Sequence, residues 1–460
     1  MPEEFLGYHS EWNMGSPGGW DYQRMAQEIA RFSWKQIKKK SGIDIELDFD
    51  HPMLNPVASF AEILLEANRR VSASNKAFIA LVAEKETLQK VGENIRFVRY
   101  LNSLPQVSAC LTSPDKLKLK NNRISVADNN VSLIFQDFNN SVILKLKHTC
   151  DVNPLIEAIK QGIVLNPRGM EPIGAKGVFD AITSEYRHLM HATTLKRTPW
   201  TRQFYARSTM GPDDKEIPDL IKWTKENWQN IILKPAHGYS GQGIIIGHKE
   251  PDIDKCIREA LESRDYIIQP LIPLDLWAEE FPWLDKENKK LFLKTWQTDF
   301  RCFITHKGLI GFVTRFGGIP TNVGSGGGVQ STAILRSNIS INKAIELVNK
   351  AVLKLGFDFI SRLQEEIDNM SIEIGNVYLL GPLMSTLRPR MISEKHIKQL
   401  QIYASNLWDD AIKLEKLWDE NKLHNFVQIS PEEEEIARLA PWRGNPALIA
   451  ADGLFGFKQS

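Results

Sequence analysis

The sequence predicts a chain of the α/β and α+β classes with a largely helical C-terminal segment. An apolar run from Lys76 to Lys85 precedes Leu88 to Leu104, whose apolar positions have helical spacing, so a strand followed by a helix is expected. Residues 231–247 contain two β-branched runs separated by a glycine-rich loop, as in an antiparallel hairpin. From Lys343 to Leu355 the apolar residues lie mainly on one helical face, and Gly356 follows as a stop.

The composition is that of an ordinary globular chain and leaves most functions open. The 460 residues are 42% hydrophobic, which is enough for a large core and roughly two or three domains. The 57 basic and 56 acidic side chains give a net charge of +1, so no global field favours nucleic acid or an anionic membrane. The first residues are acidic without an apolar signal core, and the four cysteines have no metal or redox spacing. We therefore expect a cytoplasmic protein without nucleic-acid or membrane partners, whose oligomeric state is not readable.

The N-terminal segment places Glu11 and Asn13 two residues apart, ahead of a glycine- and proline-rich stretch from Gly15 to Trp20. In a strand, this spacing directs both oxygen-bearing side chains to one face, where they can bind a hard cation such as Mg²⁺. A turn-rich N-terminus also produces such a pair by chance, so the spacing alone leaves the site open. An amphipathic helix is predicted after Trp20.

Residues Val131 to Phe138 and Val142 to Leu146 are rich in β-forming side chains and flank Asn139-Asn140. Asparagine pairs favour turns, so this pattern predicts either a hairpin or a strand break. Together with the strand and helix before them, these segments make the first 165 residues an expected α/β domain.

The glycine-rich hairpin carries the clearest chemical signal. Lys234 ends its first strand, and Gly238, Gly241 and Gly243 punctuate the loop that follows. Backbone N–H groups of such a loop, with Ser240 as an added donor, can surround phosphate oxygens while the lysine supplies a fixed cation. Because an ordinary structural hairpin uses the same glycines, that alternative stays open on glycine content alone. The lysine shifts the interpretation towards a nucleotide phosphate.

Two further segments follow along the chain. Residues Asp299 to Arg315 are expected to form two strands joined around His306-Lys307-Gly308. Residues Thr321 to Gly328 include four glycines within five positions, which argues against an ordinary strand. A functional loop or a flexible linker is the expected structure there.

The C-terminal part carries no motif and is expected to be structural. Residues 394–420 have a helical pattern, and Ser430, followed by Pro-Glu-Glu, indicates a capped helix start and not a metal site. Arg388 and Arg390 are expected in a solvated turn, with contact to an anionic substrate as the alternative.

The hairpin residues resemble a known family. Lys234-Pro235 followed by Gly-Tyr-Ser-Gly-Gln-Gly looks like the strand and phosphate-covering loop of ATP-grasp enzymes, which mostly join a carboxylate to an amine through an acyl phosphate. Neither the P-loop nor the Rossmann glycine pattern occurs. For His237, the alternative is an exposed loop histidine without a catalytic role. The resemblance implies that ATP is held by Lys234 and by the loop residues His237, Gly238, Tyr239, Ser240, Gly241, Gln242 and Gly243.

ATP-grasp enzymes carry a Glu-x-Asn pair as magnesium ligands, usually after the lysine strand. Here Glu11 and Asn13 precede Lys234 by more than two hundred residues, an order that resembles the circular permutation of glutathionylspermidine synthase and its bacterial relatives. A similar Asn-Pro segment at Asn166-Pro167 leads to Lys176, for which the resemblance implies a phosphate contact. A solvated lysine in a first helical turn is the alternative for Lys176.

The resemblance also implies roles further along the chain. Gln269 lies where the family places the hinge that contacts adenine, although the family often has an acid at that position. Asp299 would add a metal ligand, while Arg301 and Arg315 would clamp the transferring phosphate and the acyl phosphate. A structural Asp–Arg pair is the alternative for this cluster. Asn322 would contact phosphate or substrate from the second glycine-rich loop.

The function implied is ATP- and magnesium-dependent ligation of a small-molecule or peptide carboxylate to an amine. A kinase on the same fold and a catalytically inactive nucleotide-binding protein are the alternatives. The expected organisation is a permuted metal-binding strand and helix at 1–35, a pre-ATP-grasp α/β domain at 36–165, an ATP-grasp core at 166–340 and a mostly helical segment at 341–460.

Overall fold

The computed structural model describes residues 6–72, 74, 76–238, 243–273, 277–318, 321, 323, 326–379 and 381–456. The predicted phosphate-loop residues Tyr239, Ser240, Gly241 and Gln242 and the predicted contact Asn322 lie outside these ranges. The α-helices are α1 (Tyr22–Ser41), α2 (Pro56–Val71), α3 (Gly92–Asn102), α4 (Asn140–Leu146), α5 (Asn153–Lys160), α6 (Val178–Thr183), α7 (Ala192–Arg197), α8 (Leu220–Glu226), α9 (Ile253–Ser263), α10 (Ile341–Leu355), α11 (Phe357–Glu373), α12 (Glu394–Asp419), α13 (His424–Val427) and α14 (Pro431–Arg438).

The strands form several separate sheets. In chain order they are β1 (Leu6–Asn13), β2 (Leu47–Asp48), β3 (Ala77–Val82), β4 (Val107–Thr112), β5 (Lys118–Lys120), β6 (Arg123–Val126), β7 (Asn129–Asn130), β8 (Leu133–Gln136), β9 (Val164–Leu165), β10 (Arg202–Gln203), β11 (Thr209–Met210), β12 (Glu216–Ile217), β13 (Ile231–Pro235), β14 (Ile245–Ile246), β15 (Tyr266–Pro270), β16 (Ala278–Asp285), β17 (Lys290–Thr305), β18 (Gly308–Gly317), β19 (Gly328–Gln330), β20 (Thr332–Leu335), β21 (Val377–Tyr378), β22 (Gly381–Pro382), β23 (Arg390–Ile392) and β24 (Ile449–Gly456).

A four-stranded parallel sheet forms the centre of the N-terminal α/β region. Its strand order is β4-β3-β8-β9, and every pairing in it is parallel. The side chains of Ile79, Leu81 and Val82 in β3 are fully buried, as expected for a parallel sheet that is covered on both faces. The prediction of a strand followed by a helix is confirmed by β3 and α3. Because the strands are parallel, their carboxyl ends meet at one edge of the sheet.

Residues Val142 to Leu146 are helical, so their prediction as β structure is wrong. They belong to α4, although the predicted strand break is confirmed because β8 ends before Asn139. The backbone N–H of Asn140 donates to the Glu171 carboxylate at 2.9 Å, and Ile143 is fully buried in an apolar cluster. These tertiary contacts outweigh the local β propensity of branched side chains.

A small antiparallel sheet carries the lysine strand. Its order is β10-β15-β13-β14, with Ile232 opposite Ile246 and Leu233 opposite Ile245, which confirms the predicted hairpin. Helices α8 and α9 contribute to one apolar core with this sheet. Its buried members are Phe204, Leu220, Trp228, Ile231, Leu233, Cys256, Ile257, Ala260 and Ile268.

The largest sheet joins the two ends of the chain. Its order is β1-β24-β17-β18-β19, with β16 also paired to β17, and all of these pairings are antiparallel. The predicted strand pair around His306-Lys307-Gly308 is confirmed by β17 and β18. Leu6 of β1 pairs with Gly456 of β24, so the first and last described residues are neighbours. Residues on one face pack against α6 and α12, whereas residues on the other face join the core of the parallel sheet.

The C-terminal part supplies helices and two important strands. The predicted helices at 343–355, 394–420 and after Ser430 are confirmed by α10, α12 and α14, and Ser430 forms a capping box with Glu433. The same part contributes β23, which pairs with β20, and β24, which lies inside the largest sheet. Within the described ranges, every helix is too short or too polar to cross a lipid bilayer.

Candidate active site on the central sheet

A β-bulge at Ser10 sets the direction of the predicted magnesium pair. His9 pairs with Gly453 but Glu11 pairs with Asp452, so one extra residue lies on β1. A bulge changes which side chains point to which face of a sheet. Beyond it, Trp12 is buried in the apolar core on one face, while Glu11 and Asn13 line a cavity on the other.

Two predicted arginines line the same cavity and bind carboxylates. Arg301 donates from Nε and Nη2 to the two oxygens of Asp452 at 2.6 and 2.7 Å, and from Nη1 to the carbonyl of Gly18 at 2.9 Å. Arg315 donates from Nε and Nη2 to the two oxygens of Asp299 at 2.9 and 2.6 Å. Arg315 Nη2 also donates to Asp452 Oδ2 at 2.8 Å, so one network joins three strands.

The ion pairs of this network shift the pKa values of Asp452 and Arg315 so that both groups stay charged. Burial would raise the pKa of Asp452, but Arg301 and Arg315 outweigh it and hold that pKa far below its usual range. Burial likewise opposes the charge on Arg315, whereas Asp299 and Asp452 raise its pKa well above normal. The carboxylate of Asp452 and the guanidinium group of Arg315 therefore remain ionised across the physiological pH range.

Asp299, predicted as a metal ligand, accepts three hydrogen bonds from protein donors. Besides the bidentate contact with Arg315, its Oδ2 accepts a hydrogen bond from Thr321 Oγ1 at 2.6 Å. Asp452 is the direct cross-strand partner of Glu11 and lies closer in the sheet to the predicted magnesium pair. Among the described residues, no group of three His, Cys, Asp or Glu side chains is arranged to hold a metal on its own.

The two predicted lysines, Lys176 and Lys234, lie near Glu11 of β1. Lys176 Nζ lies 3.4 Å from Glu11 Oε2 and donates to the carbonyl of Gly238 at 3.2 Å. Lys234 in β13 is only 9% exposed. Burial, reinforced by Lys176 and opposed by Glu11, lowers the pKa of Lys234 to about 8. The effect of Lys176 on the pKa of Lys234 shows that their ammonium groups are neighbours. Two neighbouring ammonium groups suit a polyanion.

Backbone geometry fixes Lys176 beside the lysine strand. Its N–H donates to the carbonyl of Ala236 at 3.1 Å. The next residue, Gly177, has no room for a side chain, because a Cβ there would lie 2.1 Å from the carbonyl oxygen of Phe426. The start of α6 therefore packs closely between the end of β13 and helix α13.

The remaining predicted nucleotide contacts are partly satisfied by the protein itself. His237 Nε2 lies 2.6 Å from the carbonyl oxygen of Val427, and the buried Gln269 donates from its amide to Thr201 Oγ1 at 2.8 Å. Gly238 and Gly243 both have positive φ, at 121° and 73°, which glycine tolerates best. The side chain of Gln269 thus has a partner in the residue that precedes β10, and the backbone of β15 is paired with β10 and β13.

Two arginines that were expected in a solvated turn are buried. Arg388 is fully buried and lies 3.0 Å from Glu279 Oε1. Arg390 is 8% exposed, contacts the hydroxyl of Thr298 and stacks on Phe300 with 4.5 Å from guanidinium carbon to ring centroid. The prediction was wrong because the strand pairing of β23 with β20 draws this segment into the core.

Asp452 is the site residue that sequence reasoning missed. It is a single acid within an otherwise small and apolar strand, and it is 2% exposed. A lone charge in an apolar strand is the only local signal that points to it, since charged side chains are rarely buried without a partner. Its partners Arg301 and Arg315 lie more than one hundred residues away in the sequence.

Comparisons with known proteins give only a weak likeness. No family model and no curated protein matches the chain. Solved structures that match include a glutathione synthetase-like effector from Globodera pallida in its apo form, with 15% identity, a TM-score of 0.37, and coverage of 70% of this chain and 65% of that one. The aligned part therefore spans less than two thirds of that effector.

Two other matching structures are more distant. D-alanyl-alanine synthetase A from Vibrio cholerae has 12% identity and a TM-score of 0.28 over 49% of this chain and 68% of its own. A RimK domain ATP-grasp protein from Sphaerobacter thermophilus has 14% identity and a TM-score of 0.27 over 51% and 72%. Scores at this level carry no weight for activity, so the function below is inferred from the residues of the chain itself.

Proposed function

We propose that this chain is an ATP-dependent ligase of the ATP-grasp type that joins a carboxylate to an amine through an acyl phosphate. The observation that carries the proposal is the convergence of Lys176 and Lys234 with the oxygen-rich face of β1 and its arginine neighbours. Cations from one side and carboxylates from the other suit a magnesium-bound polyphosphate. A carboxylate is a poor electrophile, and phosphorylation supplies the leaving group that an amine can displace.

The lysines would bind the nucleotide phosphates. Lys234 is held in a strand and Lys176 by the backbone of Ala236, so both cations are positioned before the ligand arrives. Such preorganisation stabilises transferring charge without reorganising the site. In the unliganded chain Lys176 pairs with Glu11, and the nucleotide would replace that contact with phosphate oxygens.

Magnesium fits the donors on β1 and β24. Glu11 and Asn13 offer one carboxylate and one carboxamide on the same face, and hard oxygen donors of this kind suit Mg²⁺. As the third protein ligand, Asp452 is a better candidate than Asp299 because it lies directly opposite Glu11. A carboxylate can accept from several donors, so its arginine contacts leave lone pairs for a cation. The bound ion would neutralise charge between the phosphates.

The arginines would hold the reacting carboxylate and the transferred phosphoryl group. The side chains of Arg301 and Arg315 are 15% and 9% exposed, and both line the cavity beside Glu11. Each is oriented by a bidentate contact with an aspartate. Among the described residues, Nη1 of Arg301 donates to the carbonyl of Gly18 and Nη1 of Arg315 contacts no acceptor, so N–H groups on both remain for a ligand. Fixed donors of this type stabilise the charge that develops during acyl transfer.

The order of the segments is consistent with a circular permutation. β24 and β1 are adjacent antiparallel strands, with Gly456 opposite Leu6. In an unpermuted chain, such a pair would be a hairpin in which the aspartate strand leads directly into the Glu-x-Asn strand. The proposal is that the chain opens at this hairpin.

The test is ATP turnover with magnesium across a pooled library of amino acids, amines and short peptides, with mass spectrometry of all products. ADP with a condensed product that lacks one water supports the ligase, whereas a stable phosphorylated product supports a kinase. Lys234→Met is expected to abolish turnover. Lys222→Met is the matched control, because that side chain is 74% exposed on α8. Full turnover by Lys234→Met refutes the site.

A further inference from the structure

A cavity of about 340 Å³ extends from the candidate site to the parallel sheet. At one end it is lined by Glu11, Asn13 and the two arginines. At the other end it is lined by three carboxylates, those of Glu84, Glu93 and Asp137. A pocket that connects a reaction centre to a second group of polar side chains is the expected form of a two-substrate site.

The topology supports a ligand at the acidic end. Glu84 follows β3 and Asp137 follows β8, and these two strands are adjacent and parallel. Both residues therefore lie at the carboxyl edge of the sheet, where ligands of open α/β sheets usually bind. This observation is independent of the charges, and the cavity lining joins the same residues to the candidate active site.

The acidic end has no cation of its own among the residues that the structure describes. Within the described residues, the only lysine or arginine side chains that line the cavity are Arg301 and Arg315, and both already bind Asp452. Glu93 accepts from the N–H groups of Gly19 at 2.9 Å and of Asp21 at 3.3 Å, so its hydrogen bonds come from backbone. At this end of the cavity, the described lining therefore offers no lysine or arginine to offset these carboxylates.

Asp137 is the carboxylate best placed to meet a ligand. Its Oδ2 accepts from Asn94 Nδ2 at 2.5 Å, and the side chain is only partly buried. Burial, reinforced by Glu84, raises the pKa of Asp137 to about 6, and burial with Asp137 raises the pKa of Glu93 to about 8. A bound cation would relieve this repulsion, whereas an anion would increase it.

On the basis of the proposed ligase function, we propose that this end of the cavity binds the acceptor amine as its ammonium ion, with Asp137 as the direct partner and proton acceptor. The ammonium passes one proton to Asp137, and the free nitrogen attacks the acyl-phosphate carbonyl carbon. The new C–N bond forms, the C–O bond to phosphate breaks, and the departing phosphate takes the second proton from the nitrogen as the amide forms.

The same geometry selects the class of acceptor. An amino acid acceptor brings a carboxylate next to its amine, and that carboxylate would lie beside Glu84 and Asp137, with no lysine or arginine at that end among the described lining residues. Like charges in a partly buried site repel strongly. The acceptor is therefore an amine with no carboxylate beside the reacting nitrogen.

The experiment separates acyl-phosphate formation from capture of the amine. Hydroxylamine is largely uncharged at neutral pH and traps an acyl phosphate as a hydroxamate without an ammonium subsite. Hydroxamate and amide formation are measured with the same carboxylate, using glycinamide against glycine and alaninamide against alanine as acceptors. The proteins are wild type, Asp137→Asn and, as control, Glu86→Gln, whose side chain is exposed and outside the cavity lining.

Asp137→Asn is expected to keep hydroxamate formation and to lower kcat/KM for the amine about ten- to hundredfold, the value of a charge-assisted hydrogen bond. Glu86→Gln should change neither, and the amides should exceed the matching amino acids as acceptors. Amine capture by Asp137→Asn within twofold of wild type, loss of hydroxamate in that variant, or preference for the amino acids would overturn the subsite. Absence of hydroxamate in every protein would overturn the ligase function itself.

Discussion

The lowered pKa of Lys234 makes a quantitative prediction for nucleotide binding. Burial and the neighbouring Lys176 bring that pKa to about 8, so this ammonium loses its proton within an accessible pH range. The lysine is charged below this value and neutral above it, and its attraction for phosphate is therefore lost as pH rises. The charged fraction falls from about 0.9 at pH 7 to about 0.1 at pH 9. If only the charged form binds, the Kd for the nucleotide rises about tenfold between these two values.

The assay is calorimetric titration of a non-hydrolysable ATP analogue at saturating magnesium from pH 7 to pH 9. Lys234→Arg is the matched control, because a guanidinium stays protonated over the whole range. The Kd of Lys234→Arg should be nearly constant from pH 7 to pH 9. Dividing the wild-type Kd by the Kd of this variant at each pH removes any effect of titration of the nucleotide itself. Parallel pH curves for wild type and Lys234→Arg would show that Lys234 does not contact the phosphates.

Two further predictions concern the network and the lysine pair. Asp452→Asn leaves the charges of Arg301 and Arg315 without a shared carboxylate in a buried network, and it should lower the free energy of unfolding by about 3–5 kcal/mol. The measurement is urea denaturation, and adding Arg301→Met should restore part of the loss. An unchanged denaturation midpoint in Asp452→Asn would contradict the network. Lys176→Met releases Glu11 and should strengthen Mn²⁺ binding without nucleotide about two- to fivefold while it weakens nucleotide binding. Equal metal affinity in the two proteins would refute competition for Glu11.

Local patterns in the sequence predicted the local parts of the fold correctly. The hairpin that carries Lys234 and the pair of β17 and β18 both depend on branched runs around short turns, which are encoded within a few residues. The capped helix after Ser430 is likewise a local signal. Residues 142–146 were predicted as β structure but are helical, because the burial of Ile143 and the contact of Asn140 with Glu171 depend on distant parts of the fold.

The candidate site was predictable only where its residues belong to a recognisable motif. Glu11, Asn13, Lys234 and the arginines carry such patterns, and the structure brings them to one region. Asp452 carries none, because its role depends on strand pairing between the two ends of the chain. The acidic end of the cavity was equally hidden, since its residues follow strands whose parallel order no local pattern reveals.

Strands β1 and β24 lie far apart in the sequence but are neighbours in the largest sheet. Here β24 pairs with β1 on one side and β17 on the other, and it carries the aspartate that fixes Arg301 and Arg315. Loss of β24 would remove the only sheet partner of β1 among the described strands and leave two buried guanidinium groups without a shared partner. The proposed magnesium ligands and the two arginines therefore depend on one pairing between strands that lie far apart in the sequence.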